Sequence, residues 1–128
     1  MQKLTHLAGR LLIAQIFLMA GINKIGGYAG TQGYMESMGV PGALLPLVII
    51  LEVGGALALI AGWQMRWISI ALAGFSILSA VTFHANLTDQ VTMIMFMKNL
   101  AIAGGLLILA SQNIRDTISI DHRLLART

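Results

Sequence analysis

The chain has no cysteine among its 128 residues. Disulfide exchange, a thiolate nucleophile and cysteine-ligated iron–sulfur clusters are therefore excluded within it. Charge is also scarce, at 10% of residues, and histidine occurs three times. Only His84 falls within a membrane-spanning stretch, since His6 and His122 lie near the chain ends. A bis-histidine haem site between helices cannot be built from one such chain. A carboxylate metal centre wants Glu-x-x-His pairs on facing helices, and the sequence has none, so no metal site is expected. Met93, Met95 and Met97 read as adaptable packing.

What remains is hydrocarbon. The chain is 57% hydrophobic with a mean hydropathy of +0.82, far from globular averages. A bilayer core roughly 30 Å thick needs about 20 apolar residues per helical span. Four runs meet that length, at about 7–26, 43–62, 67–83 and 92–110, followed by a polar tail over 111–128. The expected fold is all-α, an integral-membrane four-helix bundle forming a single domain over 1–128. Lys3 and Arg10 before the first apolar run resemble the start of a signal peptide. The run is long, however, and Ile22-Asn23-Lys24 follows instead of a small-residue cleavage site, so an uncleaved span is expected.

The net charge of +3 does not point to nucleic acid. Lys3, Arg10, Arg66, Arg115, Arg123 and Arg127 crowd the chain ends and one short turn, which is a topology signal. With four spans, both termini and the turn near Arg66 share one side, and the opposite loops carry Glu36 and Asp89. The positive-inside rule then makes both termini cytoplasmic. Trp63 and Trp67 bracket that turn as interfacial indoles. The first outer loop, "GGYAGTQGYMESMGVPG", leaves room for a short interfacial helix over 32–38, and "HANLTDQ" forms the second. Gly54, Ala58 and Gly62 make a small-residue stripe suited to close helix packing. The tail is expected to lie along the inner surface.

Ionisable groups inside spans are costly, so each marks a candidate site. Arg10, Ala14, Phe17, Gly21 and Lys24 are spaced 4, 3, 4, 3 and share one helical stripe. Arg10 lies near the inner end, where its side chain can snorkel to lipid phosphate; Lys24 can do the same at the outer end or turn inward. Glu52 lies roughly 13 Å below the start of its span at about 1.5 Å per residue, too deep to reach water. A carboxyl group there is protonated, paired with a cation or solvated by trapped water. Lys24, Glu52, His84 and Lys98, with Asn99 beside it, approach a common depth from four spans. Such a cluster reads as a buried latch fixing helix register, a ligand pocket or a proton path.

The segments "RLLIAQIFLMAGINKIGGY", "IILEVGGALALIAGWQMRW", "AVTFHAN" and "MFMKNLAIAGGLLILA" together resemble the DoxX family of small four-helix bacterial inner-membrane proteins. The tail keeps Ser119 and Asp121 of a Ser-x-Asp element but lacks the Gly-Pro-Gly turn that often precedes it in the family. The resemblance implies a multi-pass protein of the bacterial inner membrane, associated with quinol-oxidase or thiosulfate–quinone systems. It implies an accessory or quinone-interacting role beside a membrane redox partner subunit.

No side-chain set here performs redox chemistry alone, so the cofactor expected is a borrowed quinone or a bound lipid. Two other readings stay open: a non-enzymatic protein that binds lipid or an apolar small molecule, and a proton-coupled transporter. The latter wants two-sided access, which four short spans without an inverted repeat would supply only through a homo-oligomer.

Overall fold

The computed structural model describes the chain apart from Ala85, Thr128 and the side chain of Asp116. Ala85 of the expected second outer loop and Thr128 of the expected tail thus lie outside the described residues. Among the described residues, four helical segments are long and apolar enough to cross a membrane: Gln2–Gly26, Gly42–Ala61, Met65–Phe83 and Gln90–Ala110. The first is a single helix, α1. It starts well before the expected span because Gln2, Lys3, Thr5 and His6 continue the helix with polar side chains that hydropathy cannot mark.

The second span is composite. Between it and the first lies α2, Tyr28–Ser37, which covers most of the expected interfacial helix and buries Met35. A 3-10 turn, Gly42–Leu44, leads into α3, Leu45–Ile49; a widened π-type turn, Ile50–Gly54, follows, and α4, Gly55–Ala61, completes the crossing. Pro46 sits in the first turn of α3, where its missing N–H has no helical acceptor to lose. The third and fourth spans are α5, Met65–Phe83, and α6, Gln90–Ala110, the most extensively packed pair in the bundle. A short α7, Ile120–Ala126, ends the chain. Four alternating crossings put both termini at one end, hereafter the terminal end, and α2 at the other, the loop end.

The core is built from Ala14 and Phe17 of α1, Ala56 and Leu59 of α4, Leu72 and Ala73 of α5, and Ala103 and Leu106 of α6. Half of these are alanine, because helices without a hydrophobic drive between them gain by close approach. Outward-facing Leu12, Leu47, Ile50, Leu78 and Ile108 are all at least 63% exposed and form the apolar surface a bilayer requires.

The small-residue stripe of span two differs from expectation by one residue. A Cβ on Gly55 would lie 3.2 Å from Leu72, whereas one on Gly54 would point outward and meet nothing within 4 Å. Leu59, fully buried, centres the inward face. At about 3.6 residues per turn Gly54 lies about 140° away from it.

Candidate functional site

Two polar clusters sit at opposite ends of the α1 stripe. At the loop end, Lys24 Nζ lies 2.7 Å from Glu52 Oε1, with their side chains 27% and 2% exposed. Glycine makes this meeting possible. A Cβ on Gly21 would come 2.5 Å from Val53 Cγ2 and 3.3 Å from Glu52 Cβ, so only the absent side chain lets α1 approach the π-type turn so closely. Lys24, three residues further along the same face, then lies over Glu52. The ammonium is the partner of Oε1, and Oε2 has no hydrogen bond among the described residues. The contact is therefore an ion pair that engages one carboxylate oxygen and leaves the other free to accept.

Beside this pair is a cavity of about 490 Å³, within the range of roughly 300–1,000 Å³ typical of ligand sites. Lys24, Glu52, His84, Lys98 and Asn99, the candidates named from sequence, all line it. Its body is apolar, with Phe17, Ala20, Val48, Phe75 and Ile102 on four spans. The structure does not join the candidates into one bonded network: Lys24 pairs with Glu52, while Lys98 Nζ stands 3.5 Å from Met95 Sδ. His84 lies just beyond α5. Burial, and then the Lys98 charge, hold its imidazole below the ordinary value, which favours the neutral ring.

Sequence reasoning missed the roof. Thr31, Tyr34 and Met35 of α2 also line the cavity, and Tyr34 stacks on Phe83 with ring centroids 5.5 Å apart and planes inclined at 25°. Gln32 Nε2 donates to Gly42 O at 3.1 Å, tying α2 to the entry of span two. Ser76, Ser79 and Thr82 add hydroxyls from α5. The available signal was the pair of tyrosines in a glycine-rich loop, but nothing local says that such a loop folds back over a bundle.

At the terminal end, Arg10 does not reach lipid phosphate. It is 1% exposed, donating from Nη1 to Ile118 O at 2.8 Å and from Nη2 to Ile60 O at 3.1 Å. The tail is anchored at Thr117 and Ser119, which are buried, while Ser111, Arg115 and the residues from Arg123 to Arg127 stay exposed. Asp121 accepts from Gln64 N–H and Met65 N–H, each at 2.8 Å, and its own N–H donates to Gly62 O at 3.0 Å. These bonds supply acceptors to the start of α5, whose first N–H groups have no helical partner. Arg66 remains exposed beside this turn.

The DoxX family pattern matches residues 5–85, which include most of α1 and all of span two and α5. The inner membrane protein YqjF of Escherichia coli (strain K12) is 54% identical over 104 residues, covering 81% of this chain and 80% of that protein. The inner membrane protein YphA of the same organism is 32% identical over 124 residues, covering 91% and 88%. No solved structure matches the chain.

Proposed function

Because the chain belongs to the DoxX family and is a multi-pass inner-membrane protein, we propose that it serves a membrane redox system by holding a quinone-type molecule in the loop-end cavity. The observation that carries this reading is the buried Glu52 carboxylate at the base of an apolar cavity with donors on its wall: Lys24 holds Oε1, and Oε2 has no hydrogen bond among the described residues. Buried polar atoms are nearly always hydrogen-bonded, so an orphan facing a cavity marks where a ligand donor fits. The residues suit a ring with oxygens at opposite ends. Glu52 takes a hydroxyl hydrogen of the reduced form, while Lys98, Asn99 and His84 donate to an oxygen at the other end. A bound quinone supplies the electron chemistry that this cysteine-free chain lacks.

The role is accessory: this chain binds, orients and handles a proton at Glu52, and a partner subunit moves electrons. In the same reading both termini are cytoplasmic. The support is that Lys3, Arg66, Arg115, Arg123 and Arg127 are all exposed and share the terminal end. A photoreactive azidoquinone with a decyl tail tests the site in nanodiscs. Saturable labelling of peptides containing Tyr34 and Met95, weakened in Glu52→Gln, is the expected result. Labelling that does not saturate, or that falls on lipid-facing Leu12 and Ile108, removes the reading.

A further inference from the structure

The charges lining the loop-end cavity do not balance. Glu52 is its acid, and Lys24 already holds it at 2.7 Å. Lys98 stands on the α6 wall with its ammonium 3.5 Å from the Met95 sulfur, a weak acceptor, and no acid partner is found for it among the described residues. The other acids of the loop end are engaged or face away. Asp89 caps α6, accepting from Val91 N–H at 3.4 Å and Thr92 Oγ1 at 2.7 Å. Glu36 is exposed, outside the cavity lining, with its Oε1 near Gly42. His84, at the end of α5, also lines the cavity; it favours its neutral form and so adds neither a second cation nor an acid partner for Lys98.

We propose that the cavity selects an amphiphile whose head carries a negatively charged oxygen, with Lys98 as its counter-ion and the apolar wall from Phe17 to Ile102 holding its body. A charge-assisted hydrogen bond is about twice as strong as a neutral one. It is also screened less in a partly enclosed site than on an open surface. Asn99, the next residue on α6 and also on the wall, supplies an amide donor to the same head. The inference rests on reading the cavity as a ligand site, and it narrows the ligand. The deprotonated hydroxyl of a quinol ring, a carboxylate and a phosphate monoester share the required chemistry.

The test uses the full chain in phosphatidylcholine nanodiscs, with protein-free nanodiscs as the blank. Dodecanoate, dodecyl phosphate, methyl dodecanoate, dodecyltrimethylammonium and an uncharged decyl benzoquinone are each titrated by calorimetry. Dodecanoate is expected to bind about tenfold more tightly than its methyl ester, the scale of one charge-assisted bond. Lys98→Gln brings that ratio close to one, and Lys98→Arg keeps it. Glu52→Gln releases Lys24 from its acid and raises the ratio, an effect opposite in sign to that of Lys98→Gln. Tighter binding of dodecyl phosphate than of dodecanoate assigns the head to phosphate, and the reverse assigns it to carboxylate.

Equal affinity for acid and ester, a preference that survives Lys98→Gln, or tighter binding of the ammonium amphiphile overturns the proposal. If the benzoquinone binds but the acid shows no advantage, the inference fails and the quinone reading stands. If the acid binds and the benzoquinone does not, the reverse holds. Failure of all the probes removes both.

Discussion

Arg10 and Lys24 lie on one stripe of one helix, yet the structure uses them in opposite ways. Arg10 is enclosed, and its guanidinium donates to two backbone carbonyls that join span two to the tail. Lys24 is partly exposed, and its ammonium meets a carboxylate beside a cavity. The difference follows from what surrounds each cation. At the terminal end, the close of α4 leaves carbonyls without helical donors, and a fixed, always-charged fork satisfies two acceptors at once. At the loop end, a flexible ammonium faces a single acid and engages only its Oε1. One end is therefore a clasp and the other a receptor.

The cavity lining goes no deeper than Ile16, Glu52, Phe75 and Ile102; below these lie Ala14, Leu59, Leu72 and Leu106, packed and buried. This supports a pocket entered from one end over a path through the monomer.

If that comparison is right, substitutions at the terminal end lower stability and substitutions at the loop end alter binding. Arg10→Ala has the largest expected effect. It leaves Ile60 O and Ile118 O without their charged donor, and hydrogen bonds to charged groups contribute about 1.5–3 kcal/mol each, so a loss of roughly 3–6 kcal/mol is expected. Unfolding in mixed detergent measures it. Quinone labelling of the fraction that remains folded is unchanged. A variant as stable as the parent would show that the clasp holds nothing.

Gly62→Ala comes next. Gly62 adopts φ +75° at the end of α4, and an added Cβ would meet Ser119, with Cα at 2.9 Å. The left-handed backbone alone costs a non-glycine residue about 1–2 kcal/mol, and displacing the tail adds to it, so about 2–3 kcal/mol is expected. Proteolysis reads the same event locally: the bond after Arg115 or Arg123 becomes cleavable in the folded protein before the spans open. Equal protection in parent and variant would detach the tail from the clasp.

Glu52→Gln inverts the pattern. Lys24 is exposed enough to turn toward the loop-end water by snorkelling, so the stability loss stays near about 1 kcal/mol despite the burial of the acid. Azidoquinone labelling falls several-fold. A stability loss as large as that of Arg10→Ala, with labelling retained, would make the loop-end pair a second clasp and collapse the comparison.

The spans, and the depth at which the polar groups meet, were legible in the sequence because both follow from counting. A run of apolar residues sets a span, and a rise per residue sets the level of Lys24, Glu52, His84 and Lys98. What escaped was contact between segments far apart in the chain. Asp121 acts on Gln64 and Met65, and Tyr34 on Phe83, through a tail and a loop whose own composition reads as surface. The π-type turn at Ile50–Gly54 has no local signature either, since its residues suit an ordinary helix. Arg10 was misplaced for a related reason: snorkelling is the default for an arginine near a span end, and only the folded tail supplies the competing carbonyl.

The smallest effect probes the loop end without disturbing the fold. Lys98 is exposed and its removal leaves no buried group unpaired, so Lys98→Gln tests electrostatics alone. Burial is the larger cause of the depressed His84 value and Lys98 the second, and both disfavour the imidazolium. Deleting the lysine charge removes one cause and leaves the other. The His84 midpoint should therefore rise while staying below the ordinary value of 6.5. Side-chain nitrogen NMR of labelled histidine, in the parent and the variant, follows this directly. A His84 midpoint unchanged by the substitution would mean that Lys98 points its charge away from the cavity, and the receptor end would lose its counter-ion.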